Sequence, residues 1–319
     1  MEENMQDKKI SVITPVFNRQ DCIGSCLESV SLQSVPKNWE LEHIVVDDGS
    51  SDNTLKIIEK YAEEHNNVKI HSFTKNQGTN AARNKAIREA SGKWIVFLDS
   101  DDILLPDSVT VFCRAIEENP DYKHFLFPTD DMFAQRKKYG EKHIFHFDDF
   151  LLNRETGDFT HLFLRSIALA FPFNESLRIY EGIFFLRYYK EAEKILYVST
   201  IITSRNRKRK DRVTYMLNMD NDSSLLRKLK AQRLQCELYE SDYLKTDEGR
   251  KIYTDLLTSN YLLSLLAGYY QEARQLREIL DNHHSSIPFA YRAIESLHCG
   301  QMTWNIIKRL IKLKHRIKD

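Results

Sequence analysis

Lys93-Trp94-Ile95-Val96-Phe97-Leu98-Asp99-Ser100-Asp101-Asp102 passes from an apolar run into three carboxylates within four residues. The run is β-branched and aromatic and reads as a buried strand. The acids arrive where that strand ends. Crowded carboxylates repel one another, so the cluster costs free energy unless a cation neutralises it. Carboxylate oxygens are hard donors suited to Mg²⁺ or Mn²⁺. The alternative is a solvated acidic turn that caps a helix beginning near Pro106. The strand is fourth in an alternating series, which favours the cation reading.

The earlier members of that series lie upstream. Ile10–Val16, Leu41–Val46 and Val68–Phe73 read as strands one to three. Helices follow each: one capped by Asp21 and running to about Ser34, one capped by Asp52, one from Thr79 to Ala90. Strands and helices alternating over short connections predict a parallel sheet covered by helices on both faces. Ligands of such sheets bind outside the carboxyl ends of the strands. Three of those ends are polar: Thr14, Asp47-Asp48 and Asp99 to Asp102.

After about residue 120 the rhythm breaks. His124–Phe127 and Ile195–Ile202 read as strands, Asp148–Asn153 as a short helix, and Asp158–Leu164 alternates weakly. From about residue 222 the pattern is helical to the end.

The 319 residues exceed what one compact core usually serves. Net charge is zero, yet residues 1–120 carry 20 acidic and 13 basic side chains, or −7, leaving +7 for the rest. Five scattered cysteines without a CxxC pair read as free thiols in a reducing compartment. The acidic, polar start Met1–Asp7 is not a signal-peptide pattern, and no apolar run reaches about 18 residues. A cytoplasmic protein is expected. No GxGxxG follows a strand, and neither GxxxxGK[ST], HExxH nor a nucleophile elbow occurs. A nucleotide-binding sheet without a glycine-rich phosphate cradle can hold diphosphate through a carboxylate-bound cation.

Four stretches then resemble a family: Ser11–Asn18 (SVITPVFN), Val45–Asp52 (VVDDGSSD), Asn76–Asn84 (NQGTNAARN) and Phe97–Asp102 (FLDSDD). In order and spacing they look like the signature blocks of family 2 glycosyltransferases, the inverting GT-A enzymes. The resemblance covers residues 8–120 closely and 120–200 loosely. It implies that Thr14 and Asp48 meet the nucleotide base, with Asp48 accepting from the uracil N–H. It implies that Arg83 approaches the phosphates or base, that Asp99 faces the ribose or metal, and that Asp101 ligates Mn²⁺ or Mg²⁺ on the diphosphate. Asp102 is expected to cap the helix near Pro106.

An inverting transfer needs a base for the acceptor hydroxyl. The resemblance puts it in a Glu-Asp pair that starts a helix. Here Glu181 matches the first acid and Gly182 replaces the second, so Asp158 and the pair Asp130-Asp131 stay open as competitors. Arg205–Arg212 holds six basic residues and reads as a solvated loop or a collar for phosphate or anionic lipid. Residues 304–319 combine Trp304, Ile307 and six Lys or Arg, a composition suited to an anionic membrane interface or to a docked helix with a basic outer face.

The reading is an α/β GT-A fold, a Rossmann-like mixed sheet with helices on both faces, plus a C-terminal helical extension. Residues 1–204 form the transferase domain (1–120 the nucleotide-sugar half, 121–204 the acceptor half), and 205–319 a basic linker and helical region. The expected reaction moves a sugar from a nucleotide-diphosphate donor, UDP above all, to a saccharide hydroxyl, free or lipid-linked, in surface-polysaccharide assembly. No nucleic-acid partner is expected. Two rivals remain. A nucleotidyltransferase of similar fold would show a glycine-rich loop after strand one, where Pro15–Arg19 stands. A non-catalytic binding or scaffold protein would have lost its acids.

Overall fold

The computed structural model describes residues 8–130, 132, 138–178, 180–206, 222–282, 285 and 287–316, with side chains as far as residue 309. The chain forms two compact units, Met1–Arg209 and Lys210–Asp319.

The first unit is built on one eight-stranded sheet: β1 (Lys9–Val16), β2 (Glu40–Asp47), β3 (Val68–Ser72), β4 (Trp94–Phe97), β6 (His124–Phe127), β7 (Lys142–His146), β8 (Thr160–Leu164) and β9 (Lys194–Val198). Their order is β3-β2-β1-β4-β8-β6-β9-β7. β3, β2, β1 and β4 are mutually parallel, as the alternating sequence predicts. β8 then enters antiparallel between β4 and β6, and β7 closes the edge antiparallel to β9. The sheet is therefore mixed. β6 and β9 pair parallel, and the helix Gly182–Ala192 lies on the connection between them. A separate two-stranded ribbon pairs β5 (Ile103–Leu104) with β10 (Thr203–Ser204).

Alternation along the strands sorts the core. Ile10, Val12, Val16, Val45, Trp94 and Val96 pack with the helices Ile23–Ser31, Thr54–Glu64 and Ser108–Glu118. On the opposite face Phe97 and Phe163 of the strands meet Phe173 and, from the helix Gly182–Ala192, Phe185 and Tyr188 in ring contact. The first helix begins two residues after Asp21, behind Cys22, and Asp21 is not its cap. Asp52 does hold the start of the second, accepting from the Thr54 N–H at 2.9 Å and from its hydroxyl at 2.5 Å. Asp107, not Asp102, precedes the helix Ser108–Glu118.

The second unit consists, among the described residues, of the helices Asp222–Tyr243, Asp247–Ala267, Tyr270–Asn282, Phe289–Ser296 and Gly300–Arg316. Leu225, Leu229, Leu263, Leu266 and Trp304 form its core, with Ile307 packed against it. Gly300 lies against the Leu265 carbonyl, where any Cβ would overlap it at 1.8 Å. This placement corrects the membrane-helix expectation in part. Trp304 is buried and donates to Asp222 at 2.5 Å, and Lys308 reaches the same carboxylate at 2.7 Å, so these residues dock on their own unit. The side chains beyond residue 309, and residues 207–221 with most of the basic run, lie outside the described residues. No described helix is long and apolar enough to cross a membrane.

Candidate active site

β4 ends because its last residues turn from the core into a polar loop. The Leu98 N–H still bonds the Ile13 carbonyl at 3.0 Å, and a tight turn then closes with Asp102 N–H on the Asp99 carbonyl at 3.0 Å. The thiols of Cys22 and Cys26 donate to the Ser100 and Asp99 carbonyls, each at 3.7 Å. The turn presents its acids unequally. The Asp99 side chain is 53% exposed. Asp101 is half-buried and Asp102 buried. Burial, reinforced by the charges of Asp99 and Asp101, pushes the Asp102 carboxyl up to about 7 against the pull of Arg205.

Arg83 joins two of the predicted residues. From the helix Thr79–Glu89 its guanidinium donates to Asp99 Oδ1 at 3.2 Å and to Glu181 Oε1 at 3.1 Å. The rings of Phe97 and Phe173 lie 5.5 and 5.7 Å from the guanidinium carbon. The two carboxylates raise the Arg83 pKa further despite burial. Glu181 sits immediately before the helix Gly182–Ala192, and its carbonyl receives the first N–H groups of that helix.

Asp48 follows β2. Its carboxylate accepts from the N–H groups of Gln77 at 2.6 Å and Gly78 at 2.9 Å. Burial holds its pKa above the usual range in spite of those bonds. Gly49 beside it is required twice over: its φ is +72°, and a Cβ would lie 2.6 Å from the Lys75 carbonyl carbon. Thr14 departs from expectation. It is fully buried, with its hydroxyl 2.8 Å from His43 Nε2, so the side chain faces the core and not a nucleotide. The strand period explains this, since Thr14 shares a face with Val12 and Val16.

A pocket opens beside the acids, lined by Arg83, Phe97, Asp99, His161, Phe185 and Arg205 among others. The β5–β10 ribbon brings Arg205 in: it pairs with Asp158 and lies 3.8 Å from Asp102, while the Asn206 N–H bonds Asp102 at 3.2 Å. Asp158 is therefore at the pocket but committed to Arg205. Asp130 accepts from the Ser204 hydroxyl at 2.6 Å. Asp131 lies outside the described residues. Sequence reasoning missed His161, Phe185 and the part played by Arg205; only the basic run beginning at Arg205 gave any signal.

The acids fit a hard divalent ion in donor chemistry, since carboxylate oxygens are hard donors and three carboxylates stand together at the end of β4. Among the described residues no cluster of three or more His, Cys, Asp or Glu is arranged around a metal position. A cation here would complete its coordination with diphosphate and water.

Comparison with known proteins bears on this geometry. The profile of Glycosyl transferase family 2 matches residues 11–170, half of the chain. A poly(ribitol-phosphate) beta-glucosyltransferase from Bacillus spizizenii is 39% identical over 112 residues, 35% of this chain and 18% of its own. A GalNAc(5)-diNAcBac-PP-undecaprenol beta-1,3-glucosyltransferase from Campylobacter jejuni is 29% identical over 193 residues, 57% of this chain and 60% of its own. The chain spans only about a fifth to a third of the length of several of the curated relatives it matches. The crystal structure of Staphylococcus aureus TarS 1–349 in complex with UDP-GlcNAc superposes with a TM-score of 0.60 at 20% identity, covering 98% of this chain and 92% of that one. That likeness establishes the GT-A-like fold: a central mixed sheet with helices, followed by C-terminal helices.

Proposed function

The chain belongs to glycosyl transferase family 2, and from that premise we propose that it moves a sugar from a UDP-linked donor to a saccharide hydroxyl with inversion. The observation that carries the reading is the Arg83 bridge, which ties the acid at the end of β4 to the acid that starts the helix Gly182–Ala192. In this reading Asp48 accepts from the uracil N–H. A carboxylate has about four lone-pair sites, so its two backbone bonds leave capacity. Asp99 and Arg83 border the donor diphosphate. Asp101, with Asp99, would hold Mn²⁺ or Mg²⁺, which when bound neutralises charge on the leaving diphosphate.

Glu181 is proposed as the base. The acceptor oxygen attacks the anomeric carbon from the side opposite the diphosphate, its proton passes to the Glu181 carboxylate, and the bond to UDP breaks with its electron pair leaving on UDP. The relatives that act on poly(ribitol-phosphate) and on an undecaprenol-linked glycan support an acceptor in cell-surface polysaccharide assembly. We assign the transfer to the unit ending near Arg205 and place the protein in the cytoplasm. Attachment to anionic membrane is proposed on charge alone, since Trp304 and Ile307 are engaged.

Calorimetry of UDP binding tests the core of the proposal. Mn²⁺ should strengthen binding to the native protein, and Asp101→Ala should remove that gain while leaving the fold intact. Equal affinity in Mn²⁺ and in EDTA refutes it.

A further inference from the structure

His161 and His124 form a buried pair on the face of the sheet that floors the pocket. They lie diagonally on neighbouring strands, β8 and β6, with His124 Nε2 3.1 Å from His161 Nδ1. His124 is fully buried and His161 is 8% exposed. Phe185 stacks on the His161 ring at 4.0 Å between centroids and 15° between planes, which fixes the ring's orientation. His161 lines the pocket, and its Nε2 has no protein partner among the described residues.

The proton arrangement follows from what each nitrogen touches. His124 Nδ1 is buried with no partner among the described residues. A neutral imidazole carries one N–H. Were that N–H on Nδ1, a buried donor would go unsatisfied, and orphaned buried N–H groups are rare. The proton therefore sits on His124 Nε2 and is donated to His161 Nδ1. His161 Nδ1 is then an acceptor, and its own proton must lie on Nε2, facing the pocket. Burial, aided by the charges of Arg205 and Arg83, keeps His161 neutral, with its pKa lowered to about 3. The titratable groups around it are Arg83, Arg205, Asp99, Asp102 and Asp158 across the pocket, with His124 and Tyr189 against the ring.

We propose that His161 is a saccharide-recognising residue of this pocket, its Nε2–H donating to an oxygen of the acceptor pyranose, with His124 as the positioning residue that sets its tautomer. Carbohydrate is the chemistry this surface suits: a neutral fixed donor beside the rings of Phe97, Phe159 and Phe185, with carboxylates and guanidinium groups for the remaining hydroxyls. A sugar ring offers just such an apolar face and a rim of oxygens. The site lies on strands and a helix of residues 121–204 and adjoins Glu181 through Arg83, which is where an acceptor must sit. The inference rests on the sugar-transfer reading above.

Long-range ¹H–¹⁵N correlation spectra of the full-length protein with UDP and Mn²⁺ test it, with the His161 signals identified by their loss in His161→Gln. The expected result is a protonated Nε2 and a bare Nδ1 at neutral pH, and a shift of Nε2 when methyl β-D-glucopyranoside or methyl N-acetyl-β-D-glucosaminide is added. His161→Phe, which keeps the stack and loses the donor, should weaken glycoside binding about five- to tenfold, the worth of one net hydrogen bond. His161→Gln, which can place an N–H at the same point, should restore most of it. A proton on Nδ1, a cationic ring, no response to either glycoside, or equal binding by the two variants overturns the inference. UDP affinity measured on the same samples separates the two layers: UDP binding without a glycoside response sinks this inference alone, whereas no UDP binding sinks the reading beneath it.

Discussion

Replacing Arg83 by Met should destabilise the first unit by about 3 kcal/mol, from two lost charge-assisted hydrogen bonds of roughly 1.5–3 kcal/mol each. The Arg83 side chain is 12% exposed and Glu181 23%, so that bond counts nearly in full. Asp99 is 53% exposed, and solvent screening cuts its share to about 1 kcal/mol or less. Met fills the volume of the stem between Phe97 and Phe173 but leaves two carboxylates facing one another without a cation. For a unit of about 200 residues, 3 kcal/mol corresponds to a fall in Tm of about 6–12 °C. Scanning calorimetry of native protein, Arg83→Met, Glu181→Gln and the double variant closes a mutant cycle, and direct contact predicts a coupling of about 1–2 kcal/mol. A cycle that closes at zero, or a Tm change under about 2 °C, would mean that the bridge does not hold the two acids together.

Glu181→Gln should lower turnover by about 10²–10⁴, the usual worth of a positioned base, with UDP affinity nearly unchanged; full activity of that variant with an inactive Asp158→Asn would refute the assignment. Gly182→Asp meets open space, with nothing within 4 Å of an added Cβ, so the protein should fold normally and keep Glu181-dependent turnover. A turnover in Gly182→Asp that no longer needs Glu181 would show that position 182 can hold the base. Glu42 is buried and accepts from the Ser11 hydroxyl at 2.5 Å, the Ser91 N–H at 2.6 Å and Lys69 at 2.7 Å. These partners outweigh its desolvation and lower its pKa from 4.5 to about 2. A depressed acid stabilises the folded state above its unfolded pKa, so about 3 kcal/mol should be present above pH 4.5 and vanish as pH falls through 2. Denaturation of Glu42→Gln across that window checks this, since its deficit should shrink with falling pH. If the exposed Arg309 helps bind an anionic surface, Arg309→Glu should reduce flotation with anionic vesicles at low salt, and absence of any flotation by the native protein ends that proposal.

β1, β2 and β4 were readable because each is a largely apolar run with Pro or Asp at or just beyond its end, and β3 because its alternating Val68-Lys-Ile-His stands between two helical stretches. β8 was not, since its direction depends on partners and carries no local signature. β7, Lys142-His-Ile-Phe-His146, buries only Phe145 and so shows too few apolar positions to stand out from a loop. The acids of the site were visible as composition. Their partner was not, because Arg83 and Glu181 lie 98 positions apart and nothing in either neighbourhood specifies the other. Thr14 could have been placed correctly by period alone: Ile10, Val12 and Val16 face the helix Ile23–Ser31, and Thr14 falls on the same side. Trp304 was ambiguous for a different reason. An amphipathic helix with a basic rim looks the same whether its apolar stripe meets lipid or protein.

The helix Thr79–Glu89 explains why one short block carries so much of the arrangement. Asn80, Arg83 and Asn84 are spaced i, i+3 and i+4, and so share a face. Asn80 donates to the Asn174 and Leu177 carbonyls at 3.1 and 3.0 Å, and Asn84 both donates to the Phe173 carbonyl at 2.8 Å and accepts from its N–H at 2.9 Å. The segment 173–177 is irregular, so these side chains supply bonds that a helix or strand would have given its backbone. That segment leads directly to Glu181. The opposite end of the same block, Gln77-Gly78, is held by Asp48. This helix and the two residues before it are thus tied to Asp48 at one end, to the segment leading to Glu181 through Asn80 and Asn84, and to Glu181 and Asp99 through Arg83. In the proposed reading Asp48 meets the donor and Glu181 the acceptor, and the separation needed to align an acceptor hydroxyl behind an anomeric carbon is then set by contacts made to this one helix and the residues just before it.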